Sequence, residues 1–265
     1  NMLAGVAVEN VEGNRVLLIT SCRRTPVTYP DRGGAYQFFD QVGVIKAMSK
    51  WSCAVPSFDR IPELMRRALR ACYDGRPGIV HIDVAENLMN GEGPEKAILN
   101  PHQYRRIEPL EPSPADVGRA ADLLVSAGLP IIHAGSGIIH AGAYAELAEL
   151  AEMLQAPVTT SWAARGVLDE RNPLSMCMIH IKAVNQVRNE ADVVLCLGSR
   201  LGETDWWGKA PYWATPDLQK LIQVDVDEEA IGRTRQVDLG VVGDVKVFLQ
   251  KLIAVLKDCK VSPAS

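Results

Sequence analysis

Strand-sized apolar runs alternate along this chain with stretches in which apolar residues recur every three or four positions. The continuous runs lie at 15–20 (RVLLIT), 79–84 (IVHIDV), 129–134 (LPIIHA), 192–197 (DVVLCL) and 220–225 (KLIQVD). Runs without in–out alternation predict strands covered on both faces, as in parallel sheets. Shorter strands are predicted at 50–55, 157–160 and 237–242. Helical periodicity marks 2–9, 40–48, 115–127, 143–154, 181–189 and 245–256, with a helical turn at 228–232. The clearest stripe follows Ser57-Phe58-Asp59, which offers N-cap chemistry. Ile61, Leu64, Met65, Ala68, Leu69 and Cys72 share one face of a helix that runs to Tyr73 and breaks at Asp74-Gly75-Arg76-Pro77-Gly78. Residues 21–34 hold Pro26, Pro30, Gly33 and Gly34 and are predicted to be loop.

Residues 87–114 carry prolines, glycines and charges but no periodicity, the composition of a linker. The reading is therefore a partial α/β domain at 1–90, a linker at 91–113, a second domain at 114–258 and a tail at 259–265. Strands and helices alternate throughout the second domain, which predicts helices on both faces of a parallel sheet. With right-handed crossovers this is a doubly wound, Rossmann-like α/β fold.

Length and charge narrow the function. A chain of 265 residues accommodates two domains, and a net charge of −4 with 23% charged residues is ordinary for a globular protein. It lacks the basic excess of a nucleic-acid binder. No apolar run is long enough to span a membrane, and no charged stretch precedes an apolar one as in a signal peptide. The six cysteines form no C-x-x-C pair, so buried, reduced thiols in a cytoplasmic protein are expected. No histidine pair has metal-ligand spacing, and neither a G-x-S-x-G elbow nor a P-loop occurs.

In a doubly wound sheet, ligands sit beyond the carboxyl ends of the strands. The segments there are Gly135-Ser136-Gly137, 161–166, Gly198-Ser199-Arg200, Asp225 with Asp227, and Gly243-Asp244. Small residues let backbone N–H groups approach a phosphate, and Arg200 can pair with one bidentately. Asp225 or Asp227 can accept hydrogen bonds from ribose hydroxyls. Each residue also has a plainer reading, as tight turn, ion pair or helix cap. The full G-x-G-x-x-G fingerprint is absent, because Ile138, Ile139 and His140 follow Gly137. The strand histidines His81 and His133 read as core residues. Trp206-Trp207 with Tyr212-Trp213 reads as a hydrophobic plug or interface, with a lid over a ligand as the alternative. Arg66, Arg67 and Arg70 read as a solvated helix face.

The ordered set resembles thiamine diphosphate-dependent enzymes of the acetolactate synthase and oxalyl-CoA decarboxylase group. The run 15–20 resembles the strand after the family's Gly-Pro-Gly-x-x-Asn turn, with Asn1 as the last residue of that turn. Tyr36-Gln37-Phe38-Phe39-Asp40-Gln41 is similar to the Phe-Gln-Glu-x-Asp-Gln segment. The stretch from Gly75 to Val84 (GRPGIVHIDV) is similar to the strand that ends the pyrimidine-binding domain. The segments ending in Gly135-Ser136-Gly137 and Gly198-Ser199-Arg200, then Gln223 to Asp227 and Val242-Gly243-Asp244, match the central domain in order. The resemblance implies a portion of a larger enzyme that decarboxylates or carboligates 2-keto acids or acyl-CoA, with thiamine diphosphate and Mg²⁺ carrying the chemistry. The family's activating glutamate and its Mg²⁺ motif have no match in these residues, so this chain alone is expected to be inactive. Tyr36 and Gln37 would line the active site, and the enzyme would be a homodimer or homotetramer acting on a small molecule. The central domain would take FAD, take ADP, or take nothing. Flavin-binding members carry Gly-Ala-Arg-Phe-Asp-Asp-Arg at the fourth strand, where this chain has Gly202 and Thr204 in place of the first Asp and second Arg. A non-catalytic nucleotide-binding or assembly module and a nicotinamide dehydrogenase are the alternative readings.

Overall fold

The computed structural model describes residues 2–30 and 33–259, so Asn1, read above as a turn residue, and 260–265 of the tail lie outside the described residues. The chain divides at Glu108/Pro109 into two compact units. The first unit contains α1 (Met2–Glu12), β1 (Val16–Cys22), α2 (Thr25–Thr28), α3 (Gln41–Lys46), β2 (Trp51–Ala54), α4 (Ile61–Tyr73), β3 (Ile79–Ala85) and α5 (Glu86–Met89). Its three strands are all parallel, in the order β1-β3-β2. On one face Val80, Ile82 and Val84 meet Leu64, Ala68 and Cys72 of α4, half of the predicted stripe fully buried. On the other, Leu18 and Ile79 meet Val6 of α1 and Ile45 of α3.

Ser57 does not cap α4 through its side chain. The chain enters through a 3-10 turn at Phe58–Arg60, and Pro62 stands in the first helical turn, where a missing N–H costs nothing. The stretch read as a linker is divided between the units. Arg70 Nε donates to the Tyr104 carbonyl at 2.6 Å and Arg105 lies over the Tyr73 ring, both within the first unit. Leu110 and Pro112 belong to the second, where the Leu110 carbonyl accepts from Asp244 N at 2.7 Å.

The second unit contains α6 (Pro114–Val125), β4 (Pro130–Ala134), α7 (Gly137–Ala141), α8 (Tyr144–Leu154), β5 (Val158–Thr160), β6 (Ser175–Met176), α9 (Ile181–Glu190), β7 (Val193–Leu197), β8 (Lys220–Asp225), β9 (Leu239–Val242) and α10 (Val245–Asp258). The six strands are parallel, in the order β6-β5-β4-β7-β8-β9. The α/β, doubly wound reading is correct. β6 is the strand the sequence does not announce. It is two residues long with no apolar run, and its pairing with Val158 and Thr159 alone makes it a strand.

The two faces of this sheet differ chemically. Ile132, Leu195, Ile222 and Leu239 are register partners, and with Leu197 and Val224 they face the apolar sides of α6, α8 and α10. α10 contributes Val245, Phe248, Leu249, Leu252, Ile253 and Leu256, a helical stripe that is wholly buried. On the opposite face Ile131, Val194 and Leu221 form one apolar row. The next row on that face is polar: Thr159, His133, Cys196 and Gln223 stand side by side on four strands.

Candidate functional site

Chain order places the site. From β4 the chain winds through β5 to β6, then returns to the other side of β4 and winds through β7, β8 and β9. The direction reverses between β4 and β7, and a crevice opens at such a reversal beyond the strand ends. The turns after β4 and β7 are Gly135-Ser136-Gly137 and Gly198-Ser199-Arg200, so the structure brings those two predicted segments together. Asp225 ends β8, one strand further along.

The glycines do different work from the one expected. Gly135 N donates to the Leu197 carbonyl at 2.8 Å and Gly137 N to the Gly198 carbonyl at 3.1 Å. A Cβ on Gly137 would lie 2.6 Å from Gly198 Cα, and one on Gly135 would lie 2.6 Å from Ser199 Cβ. The small residues thus let two turns of the same chain cross backbone to backbone, and these two N–H groups are used within that crossing.

The remaining predicted residues divide by task. Asp244 caps α10, accepting from Lys246 N at 2.9 Å and Val247 N at 3.1 Å, and Gly243 packs on Pro112. Asp227 accepts from Glu229 N at 3.1 Å and caps the 3-10 turn Glu228–Ala230. Asp225 is buried and accepts from Asp227 N at 3.0 Å. The Ser199 hydroxyl turns inward, accepting from Leu201 N and facing Asp205. Arg200, in the turn after β7, is half-buried. Asp244→Ala is expected to destabilise the second unit by about 0.5–2 kcal/mol through loss of the cap, measured by urea unfolding.

The sequence reading missed a buried charged cluster on the polar face of the sheet. Arg188 of α9 and Asp205 of the segment after β7 are buried, and their side chains approach at 3.6 Å. His133 Nε2 lies 3.4 Å from the Asp205 carboxylate. His133 Nδ1 faces Arg188 Nη2 at 3.4 Å and Thr159 Oγ1 at 3.1 Å. Guanidinium only donates, so Nδ1 accepts and the proton sits on Nε2, toward Asp205. Burial lowers the imidazole's affinity for a second proton, although Asp205 opposes this, so His133 is neutral at pH 7. Burial alone would raise Asp205, but His133, Arg188 and Ser199 outweigh it and hold the carboxyl below its usual range. With the imidazole neutral, Arg188 is the lasting charge partner. Burial pushes Arg188 down to about 10, still protonated at neutral pH. Trp213 completes the cluster: its ring lies under Arg188 at 4.4 Å and its Nε1 donates to the Asp205 carbonyl at 2.8 Å. The only sequence signals were isolated polar residues in or beside apolar runs.

The first unit carries a second polar row. Ser52 Oγ lies 2.7 Å from His81 Nδ1, His81 Nε2 lies 2.7 Å from Thr20 Oγ1, and Thr20 donates to Asp83 at 2.6 Å. Asp83 only accepts, so the chain runs from Ser52 through His81 and Thr20 to Asp83. Burial, with Asp83 adding to it, pushes the nearby Cys22 thiol up to about 11, so it is not a nucleophile at neutral pH.

Comparison with known proteins decides the family. Residues 117–252, half of the chain, match the central domain of thiamine pyrophosphate enzymes. The chain belongs to the thiamine pyrophosphate enzyme family. This thiamine pyrophosphate enzyme chain is 31% identical over 97% of its length to a probable acetolactate synthase large subunit of Methanocaldococcus jannaschii. It is 29% identical over 96% to an acetolactate synthase of Arthrospira platensis, and 32% identical over 84% to one of Mycobacterium bovis. It spans 43%, 44% and 36% of the length of those relatives.

Two cofactor questions follow for this family member. In the second unit Arg200 and Asp225, beside the crevice, are the donor and acceptor types that suit a phosphate and a ribose. In the first unit Tyr36 is 73% exposed and Gln37 has φ 55°, within a turn closed by Phe38 N and the Ala35 carbonyl. That turn is tethered from behind: Asp40 caps α3, and buried Gln41 donates to the Ser21 carbonyl at 3.1 Å. Among the described residues no cluster of side chains is arranged to hold a metal ion, and no helix is long and apolar enough to cross a membrane.

Proposed function

We propose that this chain is a portion of an acetolactate synthase-like enzyme that decarboxylates or carboligates 2-keto acids or acyl-CoA substrates. The observation that carries the reading is the likeness to acetolactate synthases across 97% and 96% of the chain. The first unit is the later part of a pyrimidine-binding domain, and the second is the central domain. Thiamine diphosphate, with Mg²⁺ bound elsewhere in the protein, supplies the electron sink for the carbon–carbon chemistry. The contribution of this chain is positional. Tyr36 and Gln37 face the reacting centre on a turn fixed by Asp40 and Gln41, and the enzyme works as a cytoplasmic dimer or tetramer.

The second unit takes a nucleotide, ADP or FAD, at the β4/β7 crevice, with Arg200 on phosphate and Asp225 on ribose. The likeness to a dehydrogenase stops at β5. A nicotinamide site needs an acidic residue closing that strand, and it ends at Thr160.

The test assays the full polypeptide that contains this chain, and the chain alone, with pyruvate, thiamine diphosphate and Mg²⁺. The full polypeptide is expected to release CO₂ and form acetolactate only when thiamine diphosphate is added, and the chain alone to do neither. Turnover by the chain alone, or a full polypeptide inert toward 2-keto acids and acyl-CoA, would overturn the proposal. Ligand released on heating the purified chain, identified by absorbance and mass, tests the nucleotide pocket.

A further inference from the structure

The segment after β7 is an unusual piece of backbone. Gly198, Leu201, Trp206, Trp207 and Gly208 all have φ between 50° and 65°. For the three bulky L-residues Leu201, Trp206 and Trp207 that region is sterically unfavourable, because Cβ crowds the following carbonyl. Local preference does not form such a turn, so tertiary contacts must hold it. Those contacts converge on the buried cluster. Asp205 reaches Arg188 and His133, Ser199 reaches Asp205 and Leu201 N, Trp213 binds the Asp205 carbonyl, and Arg235 donates to the Gly208 carbonyl at 3.1 Å. The same turn begins with Gly198-Ser199-Arg200 at the crevice. It ends with Trp206 and Trp207, 38% and 46% exposed.

We propose that Asp205 is a positioning residue for the 198–208 turn: its carboxylate, held by Arg188 and His133, keeps the turn and with it Arg200 in the binding form, and acid releases it. The effect on ADP rests on the nucleotide reading of the second unit, and the hold of Asp205 on the turn does not.

The charge balance sets the sign. Asp205 is faced by Arg188 from α9, His133 from β4, Cys196 from β7 and Ser199 from its own turn. At pH 7 Arg188 is cationic and His133 neutral, and burial pushes the Cys196 thiol up, so it is protonated. One cation therefore faces one anion. In the held turn His133 and Asp205 both bind protons less readily than their ordinary groups do. The released turn therefore binds more protons, and the held form loses ground as pH falls below about 6.5, through the range of the ordinary histidine and then of the carboxylate.

The experiment uses a Trp51→Phe, Trp162→Phe background, so that Trp206, Trp207 and Trp213 alone report. Their emission is expected to shift to the red between pH 7.5 and pH 4.5 while far-UV circular dichroism still reports intact helices. His133→Gln, which cannot titrate, should flatten the upper part of that shift. Asp205→Asn should show the shifted emission already at pH 7.5. Its Kd for ADP should rise about tenfold if the binding form is then populated a tenth of the time. Emission and helix signal lost in a single acid transition would overturn the proposal even if Asp205→Asn fails to fold. So would an Asp205→Asn protein with unshifted emission and unchanged ADP affinity. A parent that shows the acid shift but binds no ADP would remove the nucleotide reading and support the positioning role.

Discussion

Arg188→Met should lower the stability of the second unit by about 3–5 kcal/mol, the usual cost of leaving one member of a buried ion pair behind. Asp205 is then a buried carboxylate whose neighbours are a neutral imidazole and a serine hydroxyl. The penalty should depend on pH in a stated direction. Without Arg188, a protonated His133 becomes the only cation in reach of Asp205, so the imidazole's folded pKa rises. Relative to the parent, a folded pKa moved upward lets the variant bind a proton with less loss of stability at low pH, so the penalty should be smaller at pH 5 than at pH 8. Arg188→Met/Asp205→Asn should recover part of the loss, because no uncompensated charge remains. Urea unfolding of the four proteins of this cycle gives the answer. A penalty under about 1 kcal/mol, or one unchanged by Asp205→Asn, would mean the pair is not what holds this face together.

Gly198→Ala should cost about 2–4 kcal/mol, more than a left-handed glycine alone explains. Its φ is 56°, and a Cβ would stand 2.5 Å from Gly137 Cα and 3.0 Å from Gly137 N. Both obstacles are backbone, so no side chain can swing away. Gly166 and Gly142 are the controls. Their φ values are 85° and 63° and nothing lies within 4 Å of a Cβ on either. Alanine there should cost only the conformational part, about 1 kcal/mol. Equal penalties at Gly198 and Gly166, measured by thermal unfolding, would show that the β4/β7 crossing is not tight in solution.

Legibility of the site followed the reach of each signal. Gly135, Gly137 and Gly198 were visible because a turn after an apolar run shows in adjacent residues. Their task was not visible, because a glycine that admits a phosphate and one that admits another turn look the same in sequence. Asp225, Asp227 and Asp244 were visible as strand-end acids. All three accept from an N–H two residues on, and the backbone decided which of them caps: Asp227 and Asp244 stand before helical turns, whereas Asp225 is buried as the last residue of β8. Arg188, Asp205 and His133 stand far apart along the chain, and no spacing rule joins them.

Patterning along the chain was enough for the longer elements, the parallel α/β class and the family, but not for β6 or for the short helix α2 within the predicted loop 21–34. Periodicity and strand length are local quantities, and family motifs are ordered along the chain. It also marked the apolar residues within each strand that are available to pack on helices. The tertiary structure alone decided strand order, and with it the reversal between β4 and β7 that selects two turns as the crevice. It alone decided that Thr159, His133, Cys196 and Gln223 fall into one row, because register is a relation between strands. It alone buried Arg188 against Asp205, beside a turn with three left-handed bulky residues. In each case the deciding energy is a contact between residues distant in sequence, and neither composition nor periodicity records such a contact.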